Sequence, residues 1–196
     1  MNDIIQKATI GNEELRIVLD TEPESPREWD NLGITVCWHD RYVLGDKHEF
    51  EDPKKFTDYM KDNLMLMLPL YLYDHSGLSI STKRDYPFSC QWDSMQIGFI
   101  YVTYEKLKAE GISKNATPTH EEKEKAIEQL IQEVKTYNQY LIGEVYGYVI
   151  VKHATCNMGE DHEETLDSCF GFYDIEGIYE HIDAKWKTVT LEDVQR

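Results

Sequence analysis

Val145-Tyr146-Gly147-Tyr148-Val149-Ile150-Val151-Lys152-His153 and, after an acidic run, Cys169-Phe170-Gly171-Phe172-Tyr173 read as two β-strands, because β-branched and aromatic residues crowd both segments. The residues between them, 154–167, read as an acidic connection, long for a hairpin loop and of the kind that carries function or is mobile. Between Lys152 and Lys185 stand nine carboxylates (Glu160, Asp161, Glu163, Glu164, Asp167, Asp174, Glu176, Glu180 and Asp183) and no Lys or Arg, in a chain of net charge −17.

Upstream of this pair, Leu15, Ile17 and Leu19 alternate with Arg16 and Val18, which predicts a strand that the Pro23 and Pro26 segment ends. A further strand is expected over Ile34 to His39, with Ile34, Val36 and Trp38 on one face and Thr35, Cys37 and His39 on the other. Asp52 followed by Pro53 is a helix start, and Phe56, Tyr59, Met60, Leu64 and Met67 fall at helical spacing, so a helix is expected from Asp52 to Leu68, stopped by Pro69. Leu70 to His75 and Ile97 to Thr103 read as strands, the second with a bulge or a close backbone approach at Gly98.

The clearest helix is Thr119 to Ile142. Thr119 and Glu122 make a capping box, Ile127, Leu130, Ile131, Val134 and Leu141 make the apolar stripe, and Gly143 is the C-terminal cap. A short helix near Glu176 to Ile182 and a polar tail containing Trp186 close the chain. Trp29, Trp38 and Trp92 are expected to wall one core. With 41% hydrophobic residues and no repeat or low-complexity linker, the reading is one α+β domain over residues 1–196, a mostly antiparallel sheet packed by the two main helices.

The longest apolar run, Leu64 to Tyr73, is too short to span a bilayer and contains Pro69. The first residues lack a charged region followed by an apolar one, so no signal peptide is expected and the setting is cytoplasmic. There Cys37, Cys90, Cys156 and Cys169 are expected as thiols or metal ligands rather than disulfides.

Five segments are dense in unusual residues: Glu28-Trp29-Asp30-Asn31-Leu32-Gly33, Cys37-Trp38-His39-Asp40-Arg41-Tyr42, Leu68 to Gly77, Pro87-Phe88-Ser89-Cys90-Gln91-Trp92-Asp93-Ser94, and Asp167-Ser168-Cys169-Phe170-Gly171-Phe172-Tyr173. In this order, from Leu15 to Tyr173, the chain resembles a family of uncharacterised acidic accessory proteins carried by phages, plasmids and conjugative elements of Gram-positive bacteria. The resemblance implies a setting, the bacterial host of a mobile element, where small acidic proteins block CRISPR or restriction nucleases. It implies no reaction.

Charge and setting together give the leading expectation: an anti-CRISPR or anti-restriction inhibitor acting as a DNA mimic. Its partner is the basic groove of a host nuclease or another nucleic-acid-binding protein, met by Glu160, Asp161, Glu163, Glu164, Asp167, Asp174 and Glu176. The same charge repels nucleic acid and anionic membrane, so neither is expected as a direct partner. A metal reading stands beside it. His153, Cys156, His162 and Cys169 are zinc-type ligands around the acidic run, in a spacing that matches no standard zinc module; no other cofactor is expected.

The alternative function is a small metal-dependent or cysteine enzyme built on Asp74, His75, Cys90 and Asp93, with Asp30 and His39 nearby in the same pattern of turns and strand ends. Asp74-His75-Ser76-Gly77 is equally ordinary turn chemistry, and no nucleophile elbow, phosphate-binding loop or zincin pair is present. A structural or assembly protein of a phage is the third class.

Overall fold

The computed structural model describes residues 3–156 and 159–194. The chain runs β1 (Ile4–Ile10), β2 (Glu13–Leu19), β3 (Ile34–Cys37), α1 (Pro53–Asp62), β4 (Met65–Asp74), β5 (Leu78–Ser81) and β6 (Ser94–Thr103). It continues with α2 (Tyr104–Ala109), α3 (His120–Ile142), β7 (Tyr146–Thr155), β8 (Asp161–Phe172), α4 (Ile175–His181) and β9 (Glu192–Asp193). The fold is α+β and the strand pairs are antiparallel, as the sequence suggests. The strands form two sheets where one was expected, in the orders β8-β7-β2-β1-β9 and β3-β6-β4-β5. Each belongs to its own compact unit: a terminal unit of residues up to Glu24 and from Gly143 onward, and a central unit, Ser25–Ile142.

In the terminal unit, β1 and β2 form a hairpin whose turn uses Gly11 at φ +64°. Leu15 and Ile17 lie opposite Ile150 and Tyr148. These four side chains form the buried face of the sheet, closed by Ile178 and Ile182 from α4 and its end. Trp186, expected in a polar tail, is wholly buried in this core. Ile182, Val189 and Leu191, close to it in sequence, pack on the same core, while the flanking Lys185 and Lys187 make the segment read as polar.

In the central unit the β3 faces alternate as expected: Ile34, Val36 and Trp38 pack with Phe56 of α1, and Cys37 packs on the opposite side, toward α3. Burial pushes the Cys37 thiol up to about 12, as befits a core residue rather than a nucleophile. Asp52 caps α1 by accepting from Lys55 N at 2.8 Å. The helix ends at Asp62 rather than Leu68, with the Asn63 side chain donating to Tyr59 O at 2.9 Å. Met65 to Asp74 is instead one long strand, because Met65 and Met67 pack toward α1 while Leu66, Leu68, Leu70 and Leu72 pack toward α3. With both faces apolar the period of two is invisible, and the run mimics a helix stripe. Pro69 sits inside this strand opposite Phe99, where β5, which pairs only with Tyr71–Asp74, does not reach; proline is tolerated where a strand has a neighbour on one side.

Gly98 meets both expectations. A Cβ there would stand 1.9 Å from Val36 O, and the register slips beside it, from Leu70↔Gly98 to Tyr71↔Gln96. The capping box of α3 forms, with Thr119 N donating to Glu122 Oε2 at 2.7 Å and Glu122 N to Thr119 Oγ1 at 3.3 Å, and Gly143 follows at φ +76°. Its buried stripe is Ala126, Leu130, Val134 and Tyr137, turned slightly from the expected one. Of the tryptophans expected to share a core, only Trp38 packs there; Trp29 is 43% and Trp92 84% exposed.

Candidate functional site

The acidic run is a strand, not a connecting loop. β7 and β8 pair from Tyr146↔Phe172 out to Thr155↔Asp161, which leaves only residues 156–160 between them; 157 and 158 lie outside the described residues. Glu163, Glu164 and Asp167 therefore belong to β8, the edge of the terminal sheet. Every residue of β8 is exposed except Cys169 and Phe172. Carboxylates on both faces conceal its alternation, which is why the sequence reads as a loop. Charged side chains on an open edge also keep other strands from adding to it.

Local chemistry holds these carboxylates in different ways. Arg16 on β2 grips Glu163 with two hydrogen bonds, Nη1 to Oε2 at 2.8 Å and Nη2 to Oε1 at 2.6 Å, while its Nε bonds Glu14 Oε1 at 2.6 Å. The Arg16 contact lowers the Glu163 carboxyl from its ordinary value, and the Glu163 contact raises the guanidinium. Asp161 accepts from Thr155 Oγ1 at 2.7 Å, and Asp167 accepts from the Tyr148 hydroxyl at 2.9 Å. Burial, then that hydrogen bond, pushes the Tyr148 phenol up to about 12. Asp174 caps α4 by accepting from Gly177 N at 2.5 Å, and Glu176 sits in the first turn of that helix, so both also serve the fold. Among the described residues no Lys or Arg makes an ion pair with Glu160, Asp161, Glu164, Asp167, Asp174 or Glu176; Lys152 stands opposite Glu164 in the register. Arg16, which organises this strand from beneath, was not singled out in the sequence; its signal was an arginine alternating with apolar residues.

The four zinc-type residues are spread along the hairpin. His153 lies opposite Glu163, with Nδ1 3.6 Å from Oε1, whereas His162 lies opposite Ala154 and so on the other face of the sheet. Cys169 lies opposite Tyr148 and packs on the core, and Cys156 follows the end of β7, its N–H donating to Glu160 O at 2.8 Å. Among the described residues no three His, Cys, Asp or Glu side chains converge as a metal site would require.

In the central unit the turn residues do come together. His75 Nδ1 is 3.5 Å and Cys90 Sγ 3.8 Å from the same oxygen, Asp93 Oδ2. The imidazole and the thiol thus both face a carboxylate, and among the described residues no hydrogen bond joins them directly. Asp74 is joined to this turn only through its backbone, its N–H donating to Asp93 O at 2.8 Å; its carboxylate takes Arg41 Nη2 at 2.8 Å and the Tyr42 hydroxyl at 3.2 Å. His39 Nδ1 accepts from the backbone N–H groups of Arg41 and Tyr42, each at 3.2 Å, which is turn chemistry, and Asp30 lies exposed on the loop after a 3₁₀ turn, Pro26–Glu28.

Compared with protein-family models, curated proteins and solved structures, the chain matches none. Among the described residues no helix is long and apolar enough to cross a membrane.

Proposed function

We propose that this chain is a cytoplasmic anti-defence inhibitor of a mobile element, which occupies the basic groove of a nucleic-acid-handling host protein, a CRISPR or restriction effector, by mimicking nucleic-acid charge. The observation that carries this reading is that Asp161, Glu163, Glu164 and Asp167 project from a paired strand rather than a loose loop. Asp161 and Glu163 stand on one face of the strand and Glu164 and Asp167 on the other. Side chains on one face recur about every 7 Å, so Asp161 and Glu163 repeat at a spacing comparable with that of phosphates along a nucleic-acid strand. Fixing that array in advance spares the ordering cost a mobile acidic loop would incur on binding. The net charge of −17 supports association with a basic partner and opposes direct contact with nucleic acid. The resemblance to accessory proteins of mobile elements supplies the setting.

The test is a titration against purified CRISPR and restriction effectors, read as residual nuclease activity. Occlusion gives stoichiometric loss of activity near equimolar ratio, unchanged in folded His75→Ala and Cys90→Ala variants. Inactivation at sub-stoichiometric ratio, lost in those variants, would replace this reading with that of an enzyme built on the Asp93 turn.

A further inference from the structure

We propose that the groove between β5 and α3 in the central unit binds a small phosphorylated ligand with a planar ring, of the nucleoside monophosphate class. The groove has a volume of about 570 Å³, within the range typical of small-ligand sites. Among the described residues its lining contains two charged side chains, Lys83 and Lys135, and no carboxylate. In a chain with 37 Asp and Glu against 20 Lys and Arg, a concave surface of purely positive charge stands out, and a concave surface focuses its field on whatever enters.

Three further features point to a ligand that is more than an anion. The buried side chains of Ile80 and Val134 give the groove an apolar floor. Phe88 forms part of its wall and is held edge-on by Tyr73 at 6.3 Å, an aromatic face against which a flat ring can stack. Asn138 is fixed in one orientation, because its Oδ1 accepts from Ile80 N at 2.7 Å and from Ser79 Oγ at 2.8 Å. Its amide Nδ2 makes no hydrogen bond among the described residues and is left as a donor in the lining. The turn that carries Lys83 is likewise set, Lys83 N donating to Ser81 Oγ at 3.0 Å. A lysine pair suits a phosphate dianion, the apolar floor and Phe88 suit a base, and the oriented amide suits its polar edge. The net charge of −17 disfavours a long polyanion there more than a mononucleotide.

The experiment is calorimetric titration of the intact chain at low salt with AMP, GMP, CMP and UMP, and in parallel with adenosine, ribose 5-phosphate and inorganic phosphate. The expected result is saturable binding of at least one mononucleotide, tighter than adenosine, ribose 5-phosphate or phosphate alone. The double variant Lys83→Glu/Lys135→Glu should weaken it by about tenfold or more, and Phe88→Ala should weaken the nucleotide while leaving ribose 5-phosphate unchanged. Lys125→Glu is the control, a similar charge change on the same helix at a residue that pairs with Glu121 outside the groove; it should leave affinity nearly unchanged. An equal loss in that control, equal affinity for phosphate alone, or no saturable nucleotide binding at millimolar concentration would each overturn the proposal. Melting curves confirm that each variant is folded before it is titrated.

Discussion

β8 and β5 are both edge strands, and the chain protects them in opposite ways. β8 is twelve residues long and open, and carboxylates guard it. β5 is four residues long, and α3 covers it, with Asn138 taking the backbone N–H of Ile80. Either device prevents a stray strand from adding to the sheet. They leave different surfaces behind: a projecting negative ridge in one unit, and in the other a covered edge beside a groove whose charged side chains, among the described residues, are Lys83 and Lys135. One requirement of sheet design thus yields the two features on which a function can be built.

The severest way to break the β8 side is to remove its support from below. Trp186→Ala opens a cavity in the core behind β2 and β7 and is expected to destabilise the protein by about 3–5 kcal/mol, measured by denaturant unfolding. Fluorescence or exchange probes in the terminal unit should respond most, and those in the central unit least.

On the β5 side, Asn138→Ala leaves the Ile80 N–H and the Ser79 hydroxyl without their acceptor, at a cost of about 1–3 kcal/mol. Hydrogen exchange should rise at Ile80 and stay unchanged in β8. Loss of protection in both strands would mean that the two edges are not independently secured.

The smallest effect sharpens the role of Arg16. Glu163 has its carboxyl lowered in the folded state by Arg16, so the stability it contributes is present above the ordinary carboxylate value and is lost as pH falls through the lowered one. The melting temperature of Glu163→Gln should therefore lie slightly below that of the parent at neutral pH and converge with it in acid. The pair is half-exposed on the Glu163 side, and salt should shrink the difference further.

What could be read in advance follows from how local each signal is. Asp52-Pro53 and the Thr119–Glu122 box specify helix starts through contacts within a few residues, and both form where expected. The second halves of β4 and β8 read as strands, but residues 65–69 of β4 were hidden because both faces are apolar, and residues 161–168 of β8 because both faces carry charge; in each case the alternation that marks a strand was absent. The burial of Trp186 is completed by Ala8, Leu15, Ile17, Tyr148 and Ile150, far away in sequence, which its local apolar neighbours Ile182, Val189 and Leu191 do not announce. The same holds for the candidate sites. His75, Cys90 and Asp93 were legible as turn residues, but that both groups converge on one carboxylate oxygen is set by the pairing of β4 with β6. The zinc-type residues looked adjacent only while the acidic run was a loop, and strand parity separates His153 from His162.

The central claim is that the carboxylates of β8 stand in for phosphates, and the salt dependence of binding tests it most directly. Glu160→Gln, Asp161→Asn and Glu164→Gln together leave the Arg16–Glu163 pair intact and remove three charges that make no ion pair with Lys or Arg among the described residues. Affinity for an inhibited effector, measured over a range of salt concentrations, should then be weaker at low salt. Its logarithm should fall less steeply with the logarithm of salt, by about two to three in slope if each charge replaces a phosphate. A triple variant with the same affinity as the parent at every salt concentration would contradict the account and leave the acidic strand as a guard of the sheet edge alone.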